Sequence, residues 1–599
     1  MAGIQEFTQQ TVFTNPDLPS DTLSSKQFNT LVEAVGEGEI EGSATASKAG
    51  LTKGTDAYNN AFKKDIFLNG TQLLQTAASN SSPIDSDFNF QEVGFEPRFG
   101  TSDQTFIGGI ANIETESSVG VAVTSGNPIT RAISNTAVNA VRVTVSFQSI
   151  QTVEDNGEIT GASAGVKIEI IQNDGTTTTP INDTVTGRST STYFRDYLIT
   201  LPTSTSFPIN VRVSRTTDDD TSPIFSAFNW SSMTEVIFEQ NAYPDVAHLA
   251  LRFSAEAFPR IPKRSFRLRG IKTKIPHNAT VDIQTGRITY SGTFDGTFKA
   301  ATEWHSDPAW VLWDLLTNTR YGLSIAESSL DQYTFYNQSV YNNELVDDGL
   351  GGQEARFAIN VNITQQSEAF NLINDLCSVM RVMPFYSAGA INISGDRPTD
   401  PVYLFNYSNV SEEGFQYTGS SLKTRHTVVN VGYLDLDSRE VDYETVEDTT
   451  ASAKYGTVIK TIQSFGCTSR GMASRMGKWF LYNEQNSGET CSFSVTLEAG
   501  TLVRPGQIIE ISDPVKAGSR RGGRIASATT TAITVDDTTD TDLDATNNAT
   551  LSVILSDGSV ETKNISSIDG AVITVSSAYS SAPNANSVWI LQNDTLQTT

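Results

Sequence analysis

Short runs in which apolar and polar residues alternate, each cut off by turn-forming residues, recur through much of this chain and constrain it most. Ala140 to Ile150 reads Ala-Val-Arg-Val-Thr-Val-Ser-Phe-Gln-Ser-Ile, and Gly165 to Ile171, Tyr197 to Leu201 and Phe207 to Val213 repeat the pattern. A period of two places every second side chain on one face of a strand. Asp155-Asn156-Gly157 and Asn173-Asp174-Gly175 separate such runs, so residues 85–245 predict a β-sandwich-like domain. Between Lys64 and Leu74, Ile-Phe-Leu is followed by Asn69-Gly70 and Thr-Gln-Leu-Leu, a hairpin signal, because a two-residue turn needs positive φ at both positions. Only 18% of the 599 residues are charged, so Ser, Thr, Asn and Gln supply much of the polar surface, which favours strands and turns.

The middle of the chain changes period. Asp307-Pro308 pairs an N-cap with proline at the first helical position, and Trp310, Trp313 and Leu316 then recur on one face before Tyr321-Gly322. A second helix is expected after Thr364, with Phe370, Ile373, Leu376, Cys377 and Met380 as its stripe. A third starts near Gly471 and carries Met472, Met476, Trp479 and Phe480. Strands are expected between them at Arg356–Ile363, Ala390–Gly395 and Thr427–Leu434. After about Ser512 the only aromatic residues are Tyr579 and Trp589, while Ala532–Val535 and Ala571–Val575 alternate, so a small β-barrel-like module is predicted. The fold class is mainly β with an α+β core. Residues 1–30, polar and broken by Pro16 and Pro19, read as an extended arm.

Charge narrows the function classes. Against 41 basic side chains stand 68 acidic ones, a formal charge of −27, and no basic stripe appears. Proteins that grip DNA cluster Lys and Arg against phosphates, so a nucleic-acid grip is disfavoured. Cys377, Cys467 and Cys491 contain no C-x-x-C pair and form no disulfide framework. Met1 to Gln10 lacks a basic segment followed by an apolar run, and no apolar stretch nears the ~20 residues that span a bilayer. A soluble chain made in a cytoplasm is expected, with sequons such as Asn69-Gly70-Thr71 and Asn362-Ile363-Thr364 as by-products of composition.

His248, His277, His305 and His426 are scattered, without H-E-x-x-H or a close pair for zinc, and read as surface or packed residues. Cys467 with His426 would make a thiolate and base, but spacing alone does not join them. In Gly466-Cys467-Thr468-Ser469-Arg470-Gly471 the serine stands one place too late for G-x-S-x-G. Asp536, Asp537, Asp540, Asp542 and Asp544 offer hard oxygens, yet lack the glycine and final glutamate of an EF-hand loop, and read as a solvated loop. Gly349-Leu350-Gly351-Gly352 and Gly518–Arg524 match no phosphate fingerprint and read as turns. The second places three arginines in one loop, for which an acidic neighbour subunit is the expected partner. No catalytic, cofactor-binding or metal-binding residue is assigned, and no cofactor is expected.

Several segments, taken in order, resemble the tail tip protein J family of lambda-like siphophages. They are Leu31–Gly42, Tyr290–Lys299, Trp310–Thr317, Arg320-Tyr321-Gly322, Asp348–Arg356, Ala453–Gly456, Phe465–Gly471 and Val503–Gln507. The likeness runs from Leu31 to about Trp589 and is looser in 85–245 and after 525. It implies a multi-domain baseplate-hub architecture with tail-tube-like β domains. The arm at 1–30 would be followed by hub β segments at 31–84 and 246–300 around the inserted domain at 85–245, an α+β hub core at 301–511 and the barrel-like module at 512–599. In that family fibronectin-like modules and a receptor-binding tip follow the hub, and Thr599 falls about where those modules are expected.

What the resemblance implies is a structural virion protein at the phage tail tip: a homotrimer that caps the tail tube and takes part in tail assembly, host attachment and opening for DNA ejection. Its expected partners are tail tube and distal tail proteins, other tail tip proteins, the tape measure protein and a separate receptor-binding or fibre protein, with the host surface met indirectly. DNA would pass through without being held, since three copies of a chain at −27 repel phosphate. The alternatives are a receptor-binding adhesin built on 85–245, and a glycan hydrolase, which needs two carboxylates about 5–10 Å apart.

Overall fold

The computed structural model describes residues 28–594 apart from 109–110, 239–240, 255, 365–367, 420–424 and 539–540. The arm expected over 1–30 lies outside the described residues as far as 27, and Phe28 opens a strand. The chain divides into two compact units, Met1–Lys272 and Thr273–Thr599.

In the first unit Val246–Ser254 lies between Phe28–Glu37 and Val93–Phe99 in an antiparallel three-stranded sheet. The central strand is almost wholly buried, and Leu249, Leu251 and Phe253 pack with Tyr58, Phe62, Ile66, Leu68 and Phe95. Tyr58 and Phe62 come from the helix Asp56–Lys63, capped by Thr55, whose side chain accepts from the Tyr58 amide. The Asn69-Gly70 hairpin forms as read: Ile66–Leu68 and Thr71–Gln72 pair antiparallel, with φ of 52° and 85° at the two turn residues. Beside it the fully buried Asp65 carboxylate gathers Ser43 Oγ at 2.5 Å, the Thr45 amide at 2.7 Å and Arg267 Nε at 2.8 Å, which compensates its desolvation.

Two four-stranded antiparallel sheets make the sandwich. One runs Thr177–Gly187, Ala162–Ile171, Ile209–Arg215, Ile129–Ile133; the other runs Tyr193–Thr200, Ala140–Phe147, Phe228–Phe238, Ala111–Val123. Alternation in the sequence becomes alternation in burial, and Val141, Val143, Val145, Phe147, Val211, Val213 and Trp230 share one core. Val93–Phe99, which the sequence placed with these strands, instead pairs with Val246–Ser254. First and last strands of the sandwich are neighbours, with Ala111 opposite Phe238.

The second unit holds the largest core. The helix Pro308–Thr317 starts at the Asp307 cap and buries Trp310, Leu312, Trp313 and Leu316. The helix Arg470–Asn486 lies on the sheet of Val441–Glu447, Val428–Leu434 and Ile459–Gln463. Ala369–Val379 is helical and Ala390–Gly395 is a strand, as read. Two expectations fail here. Phe370 does not join the core but is 72% exposed in the first turn of its helix. Arg356–Ile363 is not a strand but an irregular segment, because its amides go to separate segments: Phe357 to Asn342 O, Ile359 to Ser306 O and Asn360 to Gly466 O. The helix Gln332–Asn342 was not foreseen; beside Phe335 its face buries Gln338, Ser339 and Asn342, polar residues that leave a single apolar position and no period to read.

The last module is a closed six-stranded barrel in the order Gly522–Ala528, Ala532–Val535, Val572–Val575, Val560–Asp569, Thr550–Ile554, Val588–Gln592. Trp589, Leu551, Val553, Ile573 and Tyr579 fill it, and the Tyr579 hydroxyl donates to Leu551 O. Closure leaves no strand edge unpaired within the ring.

Candidate functional site

Several of the segments that carry the family resemblance, Tyr290–Lys299, Trp310–Thr317 and Phe465–Gly471 among them, contribute to the second unit's core. Asp307 is its polar centre. The carboxylate accepts from the Ala309 amide at 2.7 Å, from Ser339 Oγ at 2.5 Å, from Asn342 Nδ2 at 3.4 Å and from Asn343 Nδ2, while Ser339 Oγ also meets the Tyr290 hydroxyl. Trp310 Nε1 donates to that hydroxyl at 2.8 Å. One carboxylate therefore caps a helix and ties it to the helix Gln332–Asn342. Full burial pushes its pKa up to about 6 against the pull of those donors. Beside it the Asp307 amide donates to His305 Nδ1 at 3.1 Å, so the proton of the neutral ring sits on Nε2, 2.7 Å from Thr273 Oγ1. Burial lowers the His305 pKa to about 4.

The Gly466–Gly471 segment resolves the misplaced serine. Ser469 is an N-cap that accepts from the Met472 amide at 3.2 Å and donates to Glu354 Oε2 at 2.5 Å, while Arg475 Nη1 pairs with Glu354 Oε1 at 2.7 Å. A side chain on Gly471 would put Cβ 2.5 Å from Glu354 Oε1 and 2.6 Å from Asp348 O, so the helix can start there only on glycine. In the Gly349–Gly352 turn, Asp348 Oδ1 takes the Leu350 and Gly352 amides at 2.7 and 2.9 Å, so those two donors are already occupied.

The remaining candidates have partners of their own. His426 and Cys467 do not form a pair: His426 Nδ1 is 2.9 Å from Glu484 Oε1, and the Cys467 thiol, its pKa raised by burial, donates to Ser469 O. Burial pushes Cys377 up to about 12. His248 Nδ1 meets Val246 O, and His277 stacks on Phe294 beside Asp295. The arginine loop corrects the reading that sought its partner in a neighbour subunit. Arg520 pairs with Asp536 at 3.0 Å and Arg521 with Asp542, so the acidic run is the partner, inside the same module. Arg524 donates to Ser408 O and Asn586 O. Asp540 lies outside the described residues, and Asp544 accepts from Thr546. Among the described residues no group of three or more His, Cys, Asp or Glu side chains is set to hold a metal ion.

One cavity in this unit is large, about 590 Å³, with Arg381, Met383, Asp396, Phe465, Met476 and Trp479 among its lining residues. Arg381 has a left-handed backbone, φ 53°, and its guanidinium lies 4.7 Å from the Trp479 ring centre and 5.2 Å from that of Phe357. Trp479 Nε1 donates to Asp396 Oδ2 at 3.0 Å. Helical periodicity places Met476 and Trp479 on one stripe, whereas no periodicity marks Arg381.

Two family models match the chain. Residues 113–239, the sandwich, match the FNIII-A domain of tip attachment protein J, and residues 368–528 match a putative phage tail protein family. Tip attachment protein J of Escherichia phage SECphi4 is 30% identical over 595 residues, 97% of this chain and 49% of that protein. The chain is a relative of tip attachment protein J. The protein of the same name from Escherichia phage SECphi27 is 33% identical over 455 residues, 75% of this chain and 37% of its own length. The chain thus spans about half the length, or less, of these J relatives. A fibronectin-type module, which the J resemblance placed after the hub, is matched within the chain. Among solved structures, the 43 kDa tail protein of prophage MuSo2 from Shewanella oneidensis covers 65% of this chain and 89% of its own at 11% identity, with a TM-score of 0.21, too loose for any argument.

Proposed function

We propose that this chain is a structural, non-enzymatic component of a phage tail tip, the trimeric hub that caps the tail tube and serves host attachment. The observation that carries this reading is the similarity to tip attachment protein J along 97% of the chain. The residue chemistry agrees. The conspicuous motifs serve as caps, turns and core contacts, and a carboxyl raised toward neutrality, Asp307, is sealed in the core away from any substrate.

In this reading the hub segments flank the inserted sandwich, and the barrel follows the α+β core. Tail tube, distal tail, tape measure and other tip proteins are its partners, and a separate fibre or a further part of the same product chooses the receptor. A charge of −27 per copy lets genome pass the ring without capture. Ejection would follow from a shift between closed and open arrangements of the ring. Antibody labelling and electron microscopy of purified particles test the proposal: three copies at the tube end are expected, and particles without the chain at that end overturn it.

A further inference from the structure

Going beyond a tail-tip role, we propose that the cavity around Arg381 and Trp479 is a docking site for an extended segment of a partner polypeptide that presents an acidic residue next to an apolar one. The cavity has an apolar lining from Met383, Phe465, Met476, Trp479 and Phe480, and its volume of about 590 Å³ is ample for a large side chain and its neighbours. A positive charge is fixed within it. The Arg381 guanidinium is clamped by the Phe357 and Trp479 rings, yet its Nε is buried without a hydrogen-bond partner, and it makes no ion pair among the described residues. Among the described residues its Nη2 donates to a backbone carbonyl, that of Arg475, at 3.2 Å. The Asp396 carboxylate, which also lines the cavity and attracts Arg381 through space, accepts its hydrogen bond from Trp479.

A half-buried guanidinium with one buried donor unmet favours a carboxylate, and charge-assisted bonds are the strong ones. The cavity walls also explain why the occupant is a polypeptide. Val382–Ser387 and Ile459–Gln463 both contribute lining residues, and each stands at the end of its sheet, among the described residues one paired only with Ala390–Gly395 and the other only with Val428–Leu434. Such edges offer main-chain hydrogen bonds to an added strand. Met383 stands at the rim, 47% exposed, where an entering chain would cross it.

The test selects a displayed library of short random peptides on the full chain and measures hydrogen exchange with the enriched peptides bound. Peptides carrying Asp or Glu beside a large apolar residue are expected, with exchange slowed in 382–383, 459–465 and 476–480. Met383→Glu and Arg381→Gln should each weaken binding about tenfold or more, while Arg381→Lys retains most of it. Circular dichroism identifies any variant that fails to fold, and Met383→Glu, at the rim, keeps the test decisive if Arg381→Gln does. Enrichment without the acidic-apolar pattern, protection elsewhere, unchanged binding by Met383→Glu, or no enrichment at all overturns the proposal. Self-association abolished by Met383→Glu would assign the cavity to a second copy and also overturn it.

Discussion

At the residue scale, the motif residues act through space they leave empty and through protons they do not carry. Gly471→Ala would drive Cβ into Glu354 and the Asp348 carbonyl, and backbone cannot yield as a long side chain can. A loss of about 1–3 kcal/mol is expected, read as a lower denaturant midpoint. His305 behaves as a neutral packing residue whose folded pKa, about 4, lies below its usual 6.5. Its contribution is therefore intact above pH 6.5 and declines as pH falls from 6.5 toward 4, by up to about 3 kcal/mol. Asp307 has the opposite sign: its folded pKa is raised to about 6 from 3.8, so protonation favours the folded state over the window from 6 down to 3.8. The two offset each other in the wild type. His305→Gln removes the first, so the melting temperature of the variant relative to wild type should climb as pH drops from 7 to 4.5.

At the element scale, one carboxylate organises two helices. Asp307→Ala removes the cap of Pro308–Thr317 and leaves Ser339 and Asn343 without their buried acceptor. The cap is worth about 1 kcal/mol and each stranded donor about 1–3, so a loss of several kcal/mol or failure to fold is expected. Asp307→Asn keeps an acceptor for the helix amides and should cost clearly less; comparative urea melts separate the two. The start at Asp307 was legible because a cap is local: it precedes its helix and accepts its amides, as Thr55 and Ser469 do in helices whose caps were not read. The helix Gln332–Asn342 was not read although Asp331 caps it, because Phe335 is its one fully buried apolar side chain and its polar partners, Asp307 among them, are distant in sequence.

At the scale of the whole molecule, the sandwich is an insertion whose ends meet. Ala111 and Phe238 face each other across paired strands, so replacing 111–238 with a short Gly-Ser linker should leave the sheet of Phe28–Glu37, Val246–Ser254 and Val93–Phe99 intact. Calorimetry of the shortened chain is expected to lose the sandwich's share of the unfolding enthalpy and keep the rest. Net charge makes a second prediction: the full chain should pass a DNA column unretained even at about 50 mM salt, where a phosphate-binding protein is held.

What the sequence determined by itself was whatever rests on near neighbours: the Asn69-Gly70 hairpin, the Asp307-Pro308 helix start, the alternation that became sandwich and barrel strands, and the negative field. Tertiary structure alone decided the rest. It sent Val93–Phe99 to a different sheet, paired Arg520 and Arg521 with the acidic run of their own barrel, turned Arg356–Ile363 into a link between segments, and left Arg381 clamped but unsatisfied beside a cavity. The reason is physical. Turns, caps and periodicity are set by dihedral preferences within a few residues, whereas sheet partners, ion pairs and cavities depend on which distant segments pack together, and no local spacing encodes that choice.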